Sequence, residues 1–211
     1  MTNSAIVDNS SAIVAEFAGG SSNDVAMMIG VGIVKDSDAV YFQYLGDEQA
    51  PRALTLPSSG KPVTRLSNVK LVGIDVATDI GEFKSTKLNL FLETTQGSTV
   101  MLTSGLNTIW SQCVITSLMG LMDAYSLDEY VQLDTWKGTS KMRPCFAAIR
   151  CQGQKISDQA MYDQLRELRA DRNQAAVLKT MQEAVAILKS QLVGEPVEVT
   201  VEDNTADTDL F

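Results

Sequence analysis

The chain has 211 residues, 45% of them hydrophobic, and a formal net charge of −9. That length allows a core without disulfides or metal, and no apolar run approaches a bilayer span. It contains no histidine, and its three cysteines form no CxxC pair, which excludes histidine-based triads, histidine general bases and most zinc sites.

An odd cysteine count without a paired framework fits reduced thiols. The N-terminus lacks a basic segment leading into an apolar run, so no signal peptide is expected and the setting expected is intracellular. The charge is unevenly spread. Glu195, Glu198, Glu202, Asp203, Asp207 and Asp209 all follow the last basic residue, Lys189. Without these six the chain has 17 basic against 20 acidic residues, which leaves room for a local basic surface.

Residues 1–25 are rich in Ser, Asn, Ala and Gly and read as a loosely docked arm. Residues 27–34 and 39–45 are apolar runs separated by Asp36-Ser37-Asp38, the pattern of a hairpin. Residues 46–67, with Pro51, Pro57, Gly60 and Pro62, read as a linker or long loop. Val69–Val76 is the first strand of a sharper pattern, with Val72, Ile74 and Val76 on one face. A polar connection follows at 77–85. In Lys87–Thr94, Leu88, Leu90 and Leu92 point inward, while Lys87, Asn89, Phe91 and Glu93 point outward. Gln96-Gly97 turns the chain, and Ser98–Thr103 returns as a third strand.

Leu106, Ile109, Trp110, Cys113, Val114, Ser117, Leu118 and Leu121 fall on one face of a helix, and that spacing places Trp110 in the core. Tyr130–Trp136 is the fourth strand. Arg143–Cys151 is the fifth, with Pro144 at its start because proline cannot donate to a ladder. Residues 157–193 form one long helix or two joined near 170–173, with Ser157 as the starting cap. Leu178, Met181, Val185, Leu188 and Leu192 make a short seam, which packs on the sheet or forms a homo-oligomer contact. The segment 194–211 is acidic and cannot bury a core, so it is expected to be disordered.

Three strands, a helix and two strands is the order of the OB-fold, a five-stranded Greek-key barrel. That barrel binds oligonucleotides through strands 2–3 and the loops between strands 1–2 and 4–5. The expected plan is therefore mainly β with α: an N-terminal arm, hairpin and linker over 1–67, a barrel over 68–156, a C-terminal helix over 157–193 and the tail. The loop between strands 4 and 5 carries the charge. Between Asp134 and Asp158 lie five basic residues and no acidic one. Lys137, Lys141, Arg143 and Arg150 offer charge to phosphates, with Lys87 on the neighbouring strand. Phe91, Tyr130, Trp136 and Phe146 offer rings on which bases stack. The competing reading is a solvated loop, with rings that cover the end of the barrel. Asp134 shares this outward face, and the only role for a carboxylate there is to orient a basic neighbour.

Asp75, Asp79 and Glu82 have no metal-binding spacing and read as solvated. No P-loop, GxGxxG, GxSxG or HExxH motif is present. Neither an enzyme activity nor a cofactor is expected.

The barrel order, followed by an acidic tail through Asp207-Thr208-Asp209-Leu210-Phe211, resembles the single-stranded DNA-binding proteins of bacteria and phages. Leu210 stands where the bacterial members usually have proline, so the phage members are the nearer likeness. The resemblance implies coating of single-stranded DNA in replication, recombination and repair, in the cytoplasm and nucleoid of a bacterial host cell. It also implies recruitment of a polymerase, helicase or primase through Asp207, Asp209, Leu210 and Phe211, with the tail competing for the basic groove. No membrane partner is implied. The alternative is a virion or scaffold protein whose tail docks on a partner.

Overall fold

A computed structural model describes residues 25–34, 37–44, 51–80 and 84–193. The N-terminal arm and the acidic tail, with its Asp207, Asp209, Leu210 and Phe211, lie outside these residues. The strands are β1 (Val25–Val31), β2 (Tyr41–Tyr44), β3 (Pro51–Ala53), β4 (Arg65–Ile80), β5 (Ser85–Thr94), β6 (Thr99–Gly105), β7 (Val131–Lys137), β8 (Cys145–Cys151) and β9 (Gln154–Ile156). The helices are α1 (Ile109–Ala124), α2 (Gln159–Ala170) and α3 (Gln174–Val193). The nine strands among the described residues join one sheet in the order β3-β2-β1-β6-β5-β4-β7-β8-β9.

The five strands read from residue 68 onward are β4 to β8. They lie side by side as β6-β5-β4-β7-β8. A row of five closes into a barrel only if its outer members pair, and here they do not. β1 takes the outer edge of β6 in a parallel ladder, and β9 takes part of the outer edge of β8. The expected closed five-stranded barrel is therefore not confirmed, and the described sheet is open and mixed. The N-terminal hairpin is present, with Gly30 opposite Phe42. The segment read as a linker contains β3 and the first three residues of β4, Arg65, Leu66 and Ser67. Pro51 is tolerated there because β3 is the edge strand. Leu54 donates to Tyr41 O, and Val63 donates to Leu54 O, so the β3 end is tied back to the residues entering β4.

Alternation explains most of the inward face. Leu88, Leu90 and Leu92 are buried as expected. On β4 a register shift between Leu71 and Gly73 moves the pattern by one residue. Leu71 and Ile74 are buried while Val72 is exposed, which corrects the expected Val72 face: a bulge sends neighbouring side chains to the same side.

α1 starts at Thr108, whose side chain accepts from Ser111 N, a typical N-cap. It is buried nearly all round, against β8 on one side and under α2 and α3 on the other. Gly120 makes this possible: a Cβ there would lie 2.6 Å from the backbone carbon of Ser157. Of the two alternatives for 157–193, two helices are found, with the break at 171–173. Asp158, not Ser157, caps α2 by accepting from Met161 N, and Asn173 caps α3 by accepting from Ala176 N. Met181, Val185 and Leu188 of the α3 seam are buried in the chain's own core. No helix among the described residues is long and apolar enough to cross a membrane.

Candidate nucleic-acid interface

The site is built on the outward face of β4, β7 and β8. Pairing sets Trp136 opposite Phe146, Asp134 opposite both Arg65 and Ala148, and Gln132 opposite Arg150. One strand further, Lys155 of β9 stands opposite Arg150. Side chains of paired residues share a face, so Arg65 and Arg150 converge around one carboxylate, with Lys155 on the same face one strand further out.

Asp134 is the hub. Its Oδ1 accepts from Arg65 Nε at 2.6 Å, and its Oδ2 accepts from Arg150 Nε at 3.1 Å. Gln132 Nε2 donates to both oxygens. Partial burial works against the ionised form of Asp134. Hydrogen bonds from Arg65, Gln132 and Arg150 outweigh it and hold the carboxyl below its usual range. This is the orienting role the sequence left open for it. Both arginines bind through Nε, and both side chains stay more than two-fifths exposed, so donors remain for a ligand. Two guanidinium groups around one carboxylate leave a net positive charge, in a geometry suited to phosphate oxygens.

The rings lie at the next rung. Trp136 and Phe146 are stacked, with centroids 6.0 Å apart and planes at 16°. Trp136 is 44% exposed, whereas Trp110 is 1% exposed in the core. Gly138 allows the pair, since a Cβ there would lie 2.8 Å from Phe146 Cε2. Beneath this face Thr135 Oγ1 receives Trp110 Nε1–H at 3.1 Å and lies 2.7 Å from Tyr41 Oη. That buried junction fixes β7 to α1 and β2, so the ring platform has a rigid support.

The β7–β8 loop is ordered by its ends. Gly138 donates to Pro144 O, and Arg143 closes a turn onto Ser140 O in the left-handed region at φ 41°. Pro144 precedes β8, as its missing N–H requires. Two expected phosphate ligands are engaged elsewhere. Lys137 Nζ donates to Ser37 O at 2.6 Å, and Arg143 pairs with Asp38 at 2.8 Å. Both partners belong to the β1–β2 connection. Lys141 is exposed and has no ion-pair partner among the described residues.

The remaining candidates are apart from this cluster. Tyr130 is exposed at the start of β7, with Lys70 Nζ 5.9 Å from its ring centre. Phe91 lies opposite Gly73 of β4, eight residues beyond Arg65, or roughly 25 Å of strand. Lys87 is further still, opposite Ala77. Phe91 is half-buried over Gly73, where a Cβ would lie 3.1 Å from its ring. It fills the gap a glycine leaves in the sheet, a packing role. Asp75 pairs with Lys189 of α3 at 3.1 Å; the side chains of Asp79 and Glu82 lie outside the described residues.

Arg65 and Lys155 were missed as site residues. Arg65 was hidden at the end of a proline-rich stretch. Lys155 was counted in the basic run, but its pairing with Arg150 required knowing the β8–β9 hairpin. Comparison with family models, curated proteins and solved structures returns no match.

Proposed function

We propose that the chain is a single-stranded DNA-binding protein of replication, recombination and repair, which coats DNA with little sequence preference and is not an enzyme. The observation that carries this is the exposed Trp136, stacked on the half-buried Phe146, beside the Arg65–Asp134–Arg150 cluster. Binders of this kind combine a positive surface that follows the phosphates with aromatic faces for successive bases. On this reading the row β6-β5-β4-β7-β8 is an OB-type sheet opened by the insertion of β1. The strand lies across β4, β7 and β8, with bases on Trp136 and Phe146 and phosphates at Arg65, Arg150, Lys155 and Lys141. The tail, through Asp207, Asp209, Leu210 and Phe211, recruits a polymerase, helicase or primase and competes for the same face.

Anisotropy of a labelled oligothymidine over a salt series tests this. Affinity is expected to fall steeply with salt as phosphate counterions are released. Deleting residues 195–211 is expected to tighten binding. No binding at low salt, or binding indifferent to salt, would count against the proposal.

A further inference from the structure

β9 pairs with β8 only over Ile149–Cys151. The edge of β8 at residues 146–148 is therefore uncovered, and a cavity of about 150 Å³ opens there. It reaches round the strand edge from the outward face, at Trp136, Phe146 and Lys155, to the α1 residues Thr116 and Ser117, with Tyr162 of α2 on the far wall. Pockets for drug-sized ligands measure roughly 300–1,000 Å³, so this one has room for a single small ring system.

The lining defines what that ring must carry. Thr116 Oγ1 donates to Gln112 O at 2.9 Å, and Ser117 Oγ donates to Cys113 O at 2.8 Å. With their protons committed to the main chain, both hydroxyl oxygens are left to accept. Gln159, at the rim, commits its amide N–H to Asp163, which leaves its carbonyl oxygen as an acceptor as well. Among the described residues no carboxylate lines the cavity, and the one cation that does, Lys155, is exposed. Cys113 contributes no reactive group: burial pushes its thiol up, so it remains protonated. A matching ligand is flat, stacks on an aromatic wall, presents N–H donors to Thr116 and Ser117 and holds an anion outside, while the Ser157 and Tyr162 hydroxyls can donate to its acceptors.

We propose that this cavity receives one nucleobase of the bound strand, turned out of the run over Trp136 and Phe146, with its 5′-phosphate on Lys155. The inference rests on the DNA-binding reading for the direction of the strand. Every common base carries an N–H donor on its pairing edge, so the pocket holds a base without selecting strongly among them. Its effect is to fix the register of the strand on the protein.

Thymidine 5′-monophosphate, too short to span the whole face, isolates this site. Amide NMR of the full chain is expected to show shifts centred on Thr116, Ser117, Lys155 and Tyr162. Lys155→Ala is expected to weaken the mononucleotide about tenfold, and Gln159→Ala several-fold. Both residues are exposed, so neither change threatens the fold. Ribose 5-phosphate, which has the phosphate and no base, is expected to leave Thr116 and Ser117 unmoved; equal shifts from it would overturn the base assignment. If oligothymidine binds but the mononucleotide leaves the cavity unmoved, this inference fails and the DNA-binding reading stands. If neither binds, both fall.

Discussion

Two stretches of the outward sheet face carry the same kinds of residue, a phenylalanine near basic side chains, and the structure treats them differently. On β5 and on β4 from Lys70 onward, Phe91 packs over Gly73, Lys70 bridges Glu93 and Asp128, and Asp75 holds Lys189. Rings and charges there are spent within the fold. On β7, β8 and the near half of β4, Trp136 stays exposed while stacked on the half-buried Phe146, and two arginines surround the one carboxylate that orients them. A ring on a polar face is thus informative only once its cross-strand neighbour is known: opposite Gly73, Phe91 fills space, and opposite Phe146, Trp136 keeps an exposed ring on a supporting one.

The largest contrast is expected from the rings. Trp136→Ala removes a stacking surface worth about 1–3 kcal/mol per base, or roughly 5- to 150-fold in affinity. Phe91→Ala should leave oligothymidine affinity unchanged. It should lower stability in urea by less than the roughly 3–5 kcal/mol of a core phenylalanine. Equal losses of affinity from the two changes would erase the distinction.

The arginines come next. Arg65→Ala and Arg150→Ala are each expected to weaken binding on all sequences alike and to reduce the slope of log affinity against log salt by about one. Lys87→Ala, on the other stretch, should leave that slope unchanged. A smaller effect follows from Asp134. Its native pKa lies below the ordinary aspartate value of 3.8, so its ionised form favours the folded state. That contribution is present above the unfolded value and is lost as pH falls through the depressed native one. Urea unfolding should find wild type more stable than Asp134→Asn by a constant margin at neutral pH. The margin should shrink only below about pH 4.

The parts legible from sequence were those with a local cause. Leu88, Leu90 and Leu92 announced their strand because one face is buried, and the α1 spacing placed Trp110 in the core. The bulge at Leu71–Gly73 has no such local signal, so Val72 was assigned to the wrong face. The closed barrel is not confirmed, for a non-local reason: β1 takes the edge of β6, and alternation says nothing about which strands meet. The site was half visible. Trp136, Phe146 and Arg150 lie together because β7 and β8 are a hairpin. The diversion of Lys137 and Arg143 toward Ser37 and Asp38 spans about a hundred residues of chain, beyond the reach of any spacing argument.

The most direct measurement uses the protein's own fluorescence. Trp110 is buried and Trp136 exposed, so a strand on this face should quench mainly Trp136. Titration with oligothymidine at low salt is expected to quench and shift the exposed component, and added salt should restore it. Trp136→Phe should abolish the signal while anisotropy still reports binding. Binding that leaves the emission of Trp136 unaltered, or no binding at low salt, would contradict the account.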